Sequence, residues 1–411
     1  MAQTYFWIIV GFLILNYLIS RVLDILNSKR WSEQLPPEVE GIYDAGKYKK
    51  SQDYSKVKTR FGLINETFSL IIILVMLFVG GFAIVDEFIR GYTDNPVYMA
   101  LLFAGILGLA ADILGLPFDI YFTFVIENKF GFNRTKPRTF VGDKIKALII
   151  TAIIGGGLIA LVTWVWVVTG PWFWLITWGV LTLIMIVFMM FYSNLIVPLF
   201  NKQTPLEDGE LRDEIQKFAE RAGFRLNNIY VIDGSKRSSK ANAYFTGIGP
   251  KKRIVLYDTL IKEHTVEELV AVLAHEIGHY KKRHTTLSTA ISVVQTGFLL
   301  FILSFFLGSA DMASALSVKE PSFHISVITF GLLYSPLSLI IGLALNALSR
   351  KNEYAADRFA GENYKPEALQ SALKKLSVNN LSNLTPHPAY VFFYYSHPPL
   401  LQRLRELNKL I

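Results

Sequence analysis

Apolar runs of about 20 residues are the strongest constraint on this chain. A run that long crosses a bilayer as a helix, with every backbone polar group satisfied internally. Seven occur, near residues 5–23, 68–85, 97–118, 149–168, 173–197, 287–307 and 325–348. The fifth carries Asn194 and Pro198 near its end, where the chain leaves the bilayer. Hydrophobic residues make up 52% of the sequence, in keeping with a multi-span α-helical membrane protein. The first run lacks a basic leader and a small-residue cleavage site, so it reads as a retained span.

Basic residues alternate along the connections. They are dense after the first run (Lys47, Lys49, Lys50, Lys56, Lys58 and others), after the third (Lys129, Arg134, Lys136, Arg138), after the fifth, and after the seventh (Arg350, Lys351). Between them stand only Arg90, then none, then Lys319. The positive-inside rule places the N-terminus outside and the C-terminus in the cytosol. The net charge of +8 therefore belongs to loops at the membrane surface. No nucleic-acid-binding motif accompanies it, so the expected partner is the bilayer and not nucleic acid. Asp112, Asp119 and Gln295 lie in or near spans, where ionisable groups face a protein interior, a water-filled cavity or the interface.

Residues 201–286 form the main soluble insert. Residues 206–222 read as a charged helix. Short β-rich runs follow at 228–232, 241–246 and 253–257, with Gly247, Gly249 and Pro250 breaking between the last two. A small antiparallel sheet is expected. It packs on the helix that starts at Thr265, whose Thr265/Glu268 pair is a capping box. Leu269, Val272, Leu273 and Ile277 supply that helix's apolar stripe, and Ala274 and Gly278 allow close helix approach. No Pro or Gly-rich break follows His284, so the helix is expected to run on into the sixth span.

This helix carries His275-Glu276-Ile277-Gly278-His279. Positions i and i+4 share a helix face, so the two imidazoles can converge on one metal ion. Glu276 stands beside the open coordination position, where a general base for water belongs. The chain has no cysteine, so a zinc site must use His and carboxylate ligands. A third ligand is needed, and Glu353 fits best, in an Asn-Glu-Tyr-Ala-Ala-Asp context on a helix. Asp357, one turn on, can accept the outer N–H of a ligand histidine. The alternative for both carboxylates is a solvated face flanked by Arg350, Lys351 and Arg358.

The chain resembles the integral-membrane type I CAAX prenyl proteases, zinc enzymes of the gluzincin group. The likeness runs in order through F-G-F-N-R-T at 130–135, V-P-L-F-N-K-Q-T-P-L-E-D-G-E-L at 197–211, N-A-Y-F-T-G at 242–247 and R-I-V-L-Y-D-T-L at 253–260. It continues through H-E-I-G-H, N-E-Y-A-A-D and S-H-P-P-L at 396–400. The resemblance implies one zinc ion per chain on His275, His279 and Glu353, with Glu276 as base. It implies seven transmembrane helices forming a barrel around a hydrated chamber, with a small α+β zinc metalloprotease domain. It further implies that residues 242–247 offer an edge for β-pairing to an extended substrate, with Asn242 and His397 near the scissile carbonyl and Arg403 bracing the site. The implied substrate is a prenylated or other membrane-associated polypeptide, cut after its modified Cys. One departure is visible: Lys240-Ala241 stands where the family often has His-Ser.

The domain plan that follows is spans one to five in 1–200, the protease insert with its metal-site helix in 201–286, spans six and seven in 287–349, and a cytosolic tail completing the site in 350–411. The lack of cysteine and the short loops point to a bacterial plasma membrane with the active site cytosolic, or to the endoplasmic reticulum if the source is eukaryotic. Rival readings are a membrane quality-control zinc protease, a protease with its zinc motif inside a span, and a transporter or channel with a vestigial site.

Overall fold

The apolar runs fold as long helices. The computed structural model describes the chain except residues 33, 38, 39, 42, 225–228 and 247–252. The first part of the chain comprises α1 (Ala2–Ser28), α2 (Ala45–Phe78), α3 (Gly81–Arg90), α4 (Pro96–Tyr121), α5 (Pro137–Ile150), α6 (Gly156–Thr169), α7 (Phe173–Leu195) and the short α8 (Val197–Phe200). A mixed region follows with β1 (Gln203–Pro205), α9 (Glu210–Arg221), β2 (Ile229–Ile232), β3 (Ala243–Thr246), β4 (Arg253–Tyr257), α10 (Asp258–Glu263) and α11 (Val266–Lys281). The chain then forms α12 (His284–Ser304), α13 (Ala310–Ala315), α14 (Phe323–Asn363), α15 (Pro366–Asn379), α16 (Pro388–Tyr394) and α17 (Leu400–Leu407).

Among the described residues, six helical stretches are long and apolar enough to cross a membrane. Five hold one expected run each. The sixth, Pro137–Phe200, is 64 residues long and holds the fourth and fifth runs together. These part at a tight turn, Gly170–Trp172, where Gly170 takes φ +51°. Beyond it Trp166 of α6 and Trp174 and Trp178 of α7 border one apolar cluster with Phe173 and Leu300. The second run stops short of its expected end, because Gly80 takes φ +67° and turns the chain into α3. Only 6–17% of the residues in each apolar window are buried within the protein, so each spanning helix keeps more than one face free of its neighbours.

Two helices outrun the bilayer. α14 has 41 residues, roughly 60 Å at 1.5 Å per residue, about twice the hydrocarbon thickness. Its first turn is fastened to α3, where His324 Nε2 lies 2.7 Å from Asp86 Oδ1 and Arg90 Nε donates to Asp86 Oδ2 at 2.7 Å. Its last turns enter the core of the mixed region. α2 behaves alike: capped by Asp44, its polar first half buries Tyr48 in that same core, and its apolar second half spans.

The sheet is mixed where an antiparallel one was expected. Its order is β1-β2-β4-β3, with β2 and β4 parallel and the outer pairs antiparallel. Alternation of apolar residues marks strands but carries nothing on partner order, and β1 is too short to show any alternation. The charged helix starts at Glu210, later than expected, because Pro205 and Gly209 hold the preceding residues in strand and loop. Asn228, Gly247, Gly249 and Pro250, which figured in the strand boundaries, lie outside the described residues.

The metal-site helix does not continue into the next span. α11 ends at Lys281, Arg283 adopts φ +58°, and α12 begins at His284. No glycine marks this break, so the sequence hides it; the compensation is that His284 folds back onto His279. α11 lies in the core formed by Ile254, Leu256, Leu269, Leu273, Ile277 and Leu404. Its Gly278 meets α14 directly: a Cβ there would sit 3.1 Å from Phe359 Cδ1 and 3.2 Å from the Ala356 backbone. Gly278→Val should therefore separate the two helices that carry the site, at a cost of about 1–3 kcal/mol from overpacking. Thermal unfolding of the detergent-solubilised, metal-free protein checks this; an unchanged midpoint would show that the interface yields freely.

Candidate metal centre

Three elements far apart in sequence meet at one point. α11 brings His275, Glu276 and His279; α14 brings Glu353 and Asp357; the segment leading into α17 brings His397, and α17 itself Arg403. The register of α11 is set at its start. Thr265 and Glu268 form the capping box, and buried Glu268 also accepts from Ser371 Oγ at 2.6 Å and Lys375 Nζ at 2.8 Å on α15. Leu400, Leu404 and Leu407 seat α17 in the same core.

His275, His279 and Glu353 each offer one ligand atom, all within 4.8 Å of one another. The two imidazole Nε2 atoms are 3.1 Å apart. Glu353 Oε1 is 3.2 Å from His279 Nε2, and Oε2 is 3.5 Å from His275 Nε2. A tetrahedral divalent ion bound at roughly 2.0–2.2 Å sets its ligand atoms roughly 3.3–3.6 Å apart, so these residues fit one. Glu353 Oε2 is buried without a hydrogen-bond partner, with Arg403 Nη1 3.7 Å away, a costly state that a bound cation would relieve. The donor set of two imidazoles and a carboxylate suits a zinc-type ion.

The ligand candidates are held from behind. His275 Nδ1 lies 2.9 Å from Asp357 Oδ1. Arg403 in turn grips Asp357 with two bonds, Nε to Oδ2 at 2.8 Å and Nη2 to Oδ1 at 2.6 Å. The carboxylate behind Nδ1 fixes the tautomer that leaves Nε2 a free lone pair. Burial alone pulls the His275 imidazole down, but Asp357 and Glu353 outweigh it and push it up to about 9. In the metal-free protein a proton thus stands in for the cation.

The expected site residues all come together here. Asn242, Glu276 and His397 line a cavity of about 240 Å³ with His275, His279 and Glu353. His397 Nε2 is 3.4 Å from Glu353 Oε1. β3, the strand after Asn242, is the sheet's edge and among the described residues pairs only with β4. The solvated-face alternative for Glu353 and Asp357 is excluded, since both are buried.

Sequence reasoning missed His284. Its Nδ1 lies 3.0 Å from His279 Nδ1, doing for the second imidazole what Asp357 does for the first. The spacing i, i+5 matches no helix face, and only the break at Arg283 brings the ring round.

Comparison with known proteins bears on the whole chain. Residues 24–202 match the family described as CAAX prenyl protease N-terminal, five membrane helices. Residues 205–411 match peptidase family M48. The CAAX prenyl protease 1 homolog of Arabidopsis thaliana is 35% identical, covering 99% of this chain and 98% of that protein. CAAX prenyl protease 1 of Saccharomyces cerevisiae is 34% identical, covering 98% and 94%. The crystal structure of S. mikatae Ste24p aligns with a TM-score of 0.91 at 34% identity over 98% of each chain.

His284→Ala should weaken metal binding about 10–100-fold, as losing the partner of a ligand's outer nitrogen does. Competition against a chromophoric chelator reads this out. Wild-type affinity in the variant would mean that His279 needs no such support.

Proposed function

The chain belongs to peptidase family M48, and from that premise we propose that it is a zinc endopeptidase releasing the C-terminal tripeptide of prenylated CAAX polypeptides, cut after the modified Cys. It is a multi-pass integral membrane metalloprotease. The observation that carries the reading is the convergence of His275, His279 and Glu353 at a cavity that Glu276 also lines.

Zinc held by these three residues would polarise the scissile carbonyl and make water acidic, with a pKa of roughly 7. Glu276 is free of the ligand cluster and faces its cavity, so it accepts the proton of the attacking water and returns it to the leaving amine. His397 and Asn242 stand at the same cavity as hydrogen-bond donors for the carbonyl oxygen. Arg403 acts at one remove by holding Asp357 against His275. An extended peptide would add to the free edge of β3 through its main chain, so selectivity for side chains is loose.

The same proposal includes seven spans around a hydrated chamber, with the N-terminus outside and the active site cytosolic. Two features support the chamber. The spanning helices bury little of their surface in one another. Lys144 also bridges half-exposed Asp112 and Asp119 at 3.1 and 2.7 Å, a triad that lipid would strongly disfavour and water accepts. The cysteine-free sequence and short loops favour a bacterial plasma membrane. α11, at 16 residues, is not among the helices long and apolar enough to cross, which weighs against a zinc motif inside a span.

Purified, zinc-loaded protein should release the tripeptide from a farnesylated peptide, and more slowly from an unprenylated one, with o-phenanthroline abolishing both. Glu276→Gln should keep its metal and lose about 10²–10⁴-fold in turnover. Folded, metal-loaded protein that cuts neither peptide would contradict the reading.

A further inference from the structure

The edge strand β3 joins two unlike cavities. At its far end, Phe245 and Thr246 border an apolar space of about 420 Å³ with Met185, Phe188, Met189 and Tyr192 of α7. At its near end the chain passes back through Asn242 to Lys240, which lines a polar cavity of about 840 Å³. That cavity shares His397 and Arg403 with the metal-site cavity, so the catalytic residues stand between the two.

Lys240 and Lys58 form a cationic pair on the polar side. Lys240 Nζ donates to Glu127 Oε2 at 2.8 Å and to Tyr54 Oη at 3.0 Å, and sits 4.3 Å from the Phe132 ring centroid. Tyr54 Oη donates to the other oxygen of Glu127. Lys58 Nζ lies over the Tyr54 ring at 5.2 Å and has no ion-pair partner among the described residues. Two ammonium groups therefore share one carboxylate, leaving one positive charge open to the cavity. Of the other charges lining it, Arg403 is matched by Asp357, whereas Asp24 and Glu66 share the single Arg21 and leave one negative charge at the opposite end. Glu66 lies two turns along α2 from Lys58, about 12 Å away, so an anion is drawn to the Lys58 end and repelled from the other.

Resting on the protease reading above, we infer that Lys58 and Lys240 bind the free C-terminal carboxylate of the substrate and thereby set where it is cut. The prenyl group seats at the Thr246 end, and the residues after the cleaved bond run toward Lys240, antiparallel to β3. Lengths agree. Three residues past the scissile bond span roughly 10 Å, while Lys240 lies two residues, roughly 7 Å of extended backbone, before Asn242, with its own side chain to add reach. A charge-assisted bond to a terminal carboxylate is the matching chemistry. Lys240, with Ala241, is the departure from the resembled pattern noted in the sequence, and it lies in this subsite.

The test compares two farnesylated peptides that differ only in ending as a free acid or a carboxamide. Wild type should prefer the acid about 10–100-fold in kcat/KM, chiefly through KM. Lys58→Met should bring the acid-to-amide ratio towards one, and Lys58→Arg should restore it. Because the ratio is taken within one preparation, partial misfolding does not move it. Titration of both peptides into the Glu276→Gln protein should show the same preference in Kd. Equal use of acid and amide by wild type, or an unchanged ratio in Lys58→Met, overturns the subsite while leaving the protease reading intact. Cleavage of neither peptide by wild type contradicts that reading, and the subsite with it.

Discussion

The ion-pair chain Arg403–Asp357–His275 ties together three segments that the sequence keeps far apart. Asp357 is almost wholly buried, and a buried carboxylate is tolerated only when paired and hydrogen-bonded. Arg403 supplies both conditions from α17, and His275 takes up the remaining valence from α11. Removing either partner would strand a buried charge, at about 3–5 kcal/mol. The geometry of the metal cluster therefore inherits its precision from a tail that comes more than 120 residues after the H-E-x-x-H motif. The tail's docking depends in turn on the leucines of α17 and on Glu268, which joins the start of α11 to α15.

Helix length does the second part of the work. α14 begins beside α3 at one end of the spanning region and ends in the protease core. A helix about twice as long as the bilayer is thick connects the two without a loop. The membrane part and the catalytic part thus share a rigid element. The site cannot shift far relative to the spanning helices unless α14 bends, and its interior Pro336 is the natural place for that.

Periodicity and local motifs were legible in the sequence; long-range partnership was not. The apolar runs, the capped α11 and the His275/His279 pair each follow from spacing on one helix; Glu353 was only the best-fitting third ligand beside a solvated-face alternative, and the structure brings it to the two histidines. The close approach at Gly278 followed from the absence of a side chain. The parallel pairing of β2 with β4 did not, because strand order is decided by how distant segments return. The break after α11 was hidden as well. Arg283 takes a left-handed conformation with no glycine to announce it, and the return appears in the contact of His284 with His279. The polar environment of Lys240 depends on Tyr54 and Glu127, more than 100 residues upstream, so the sequence showed the departure without its meaning. Asn242, His397 and Arg403 came from resemblance alone, and the structure puts all three at the cavity.

The central claim is that His275, His279 and Glu353 together make one metal site. The most direct measurement is metal content by inductively coupled plasma mass spectrometry after zinc loading and desalting, on wild type and on Glu353→Gln. The account predicts one zinc per wild-type chain and far less than one in the variant, with both proteins showing the same helical circular dichroism. A wild-type protein that takes up no zinc, or a Glu353→Gln protein that holds a full equivalent, would contradict it.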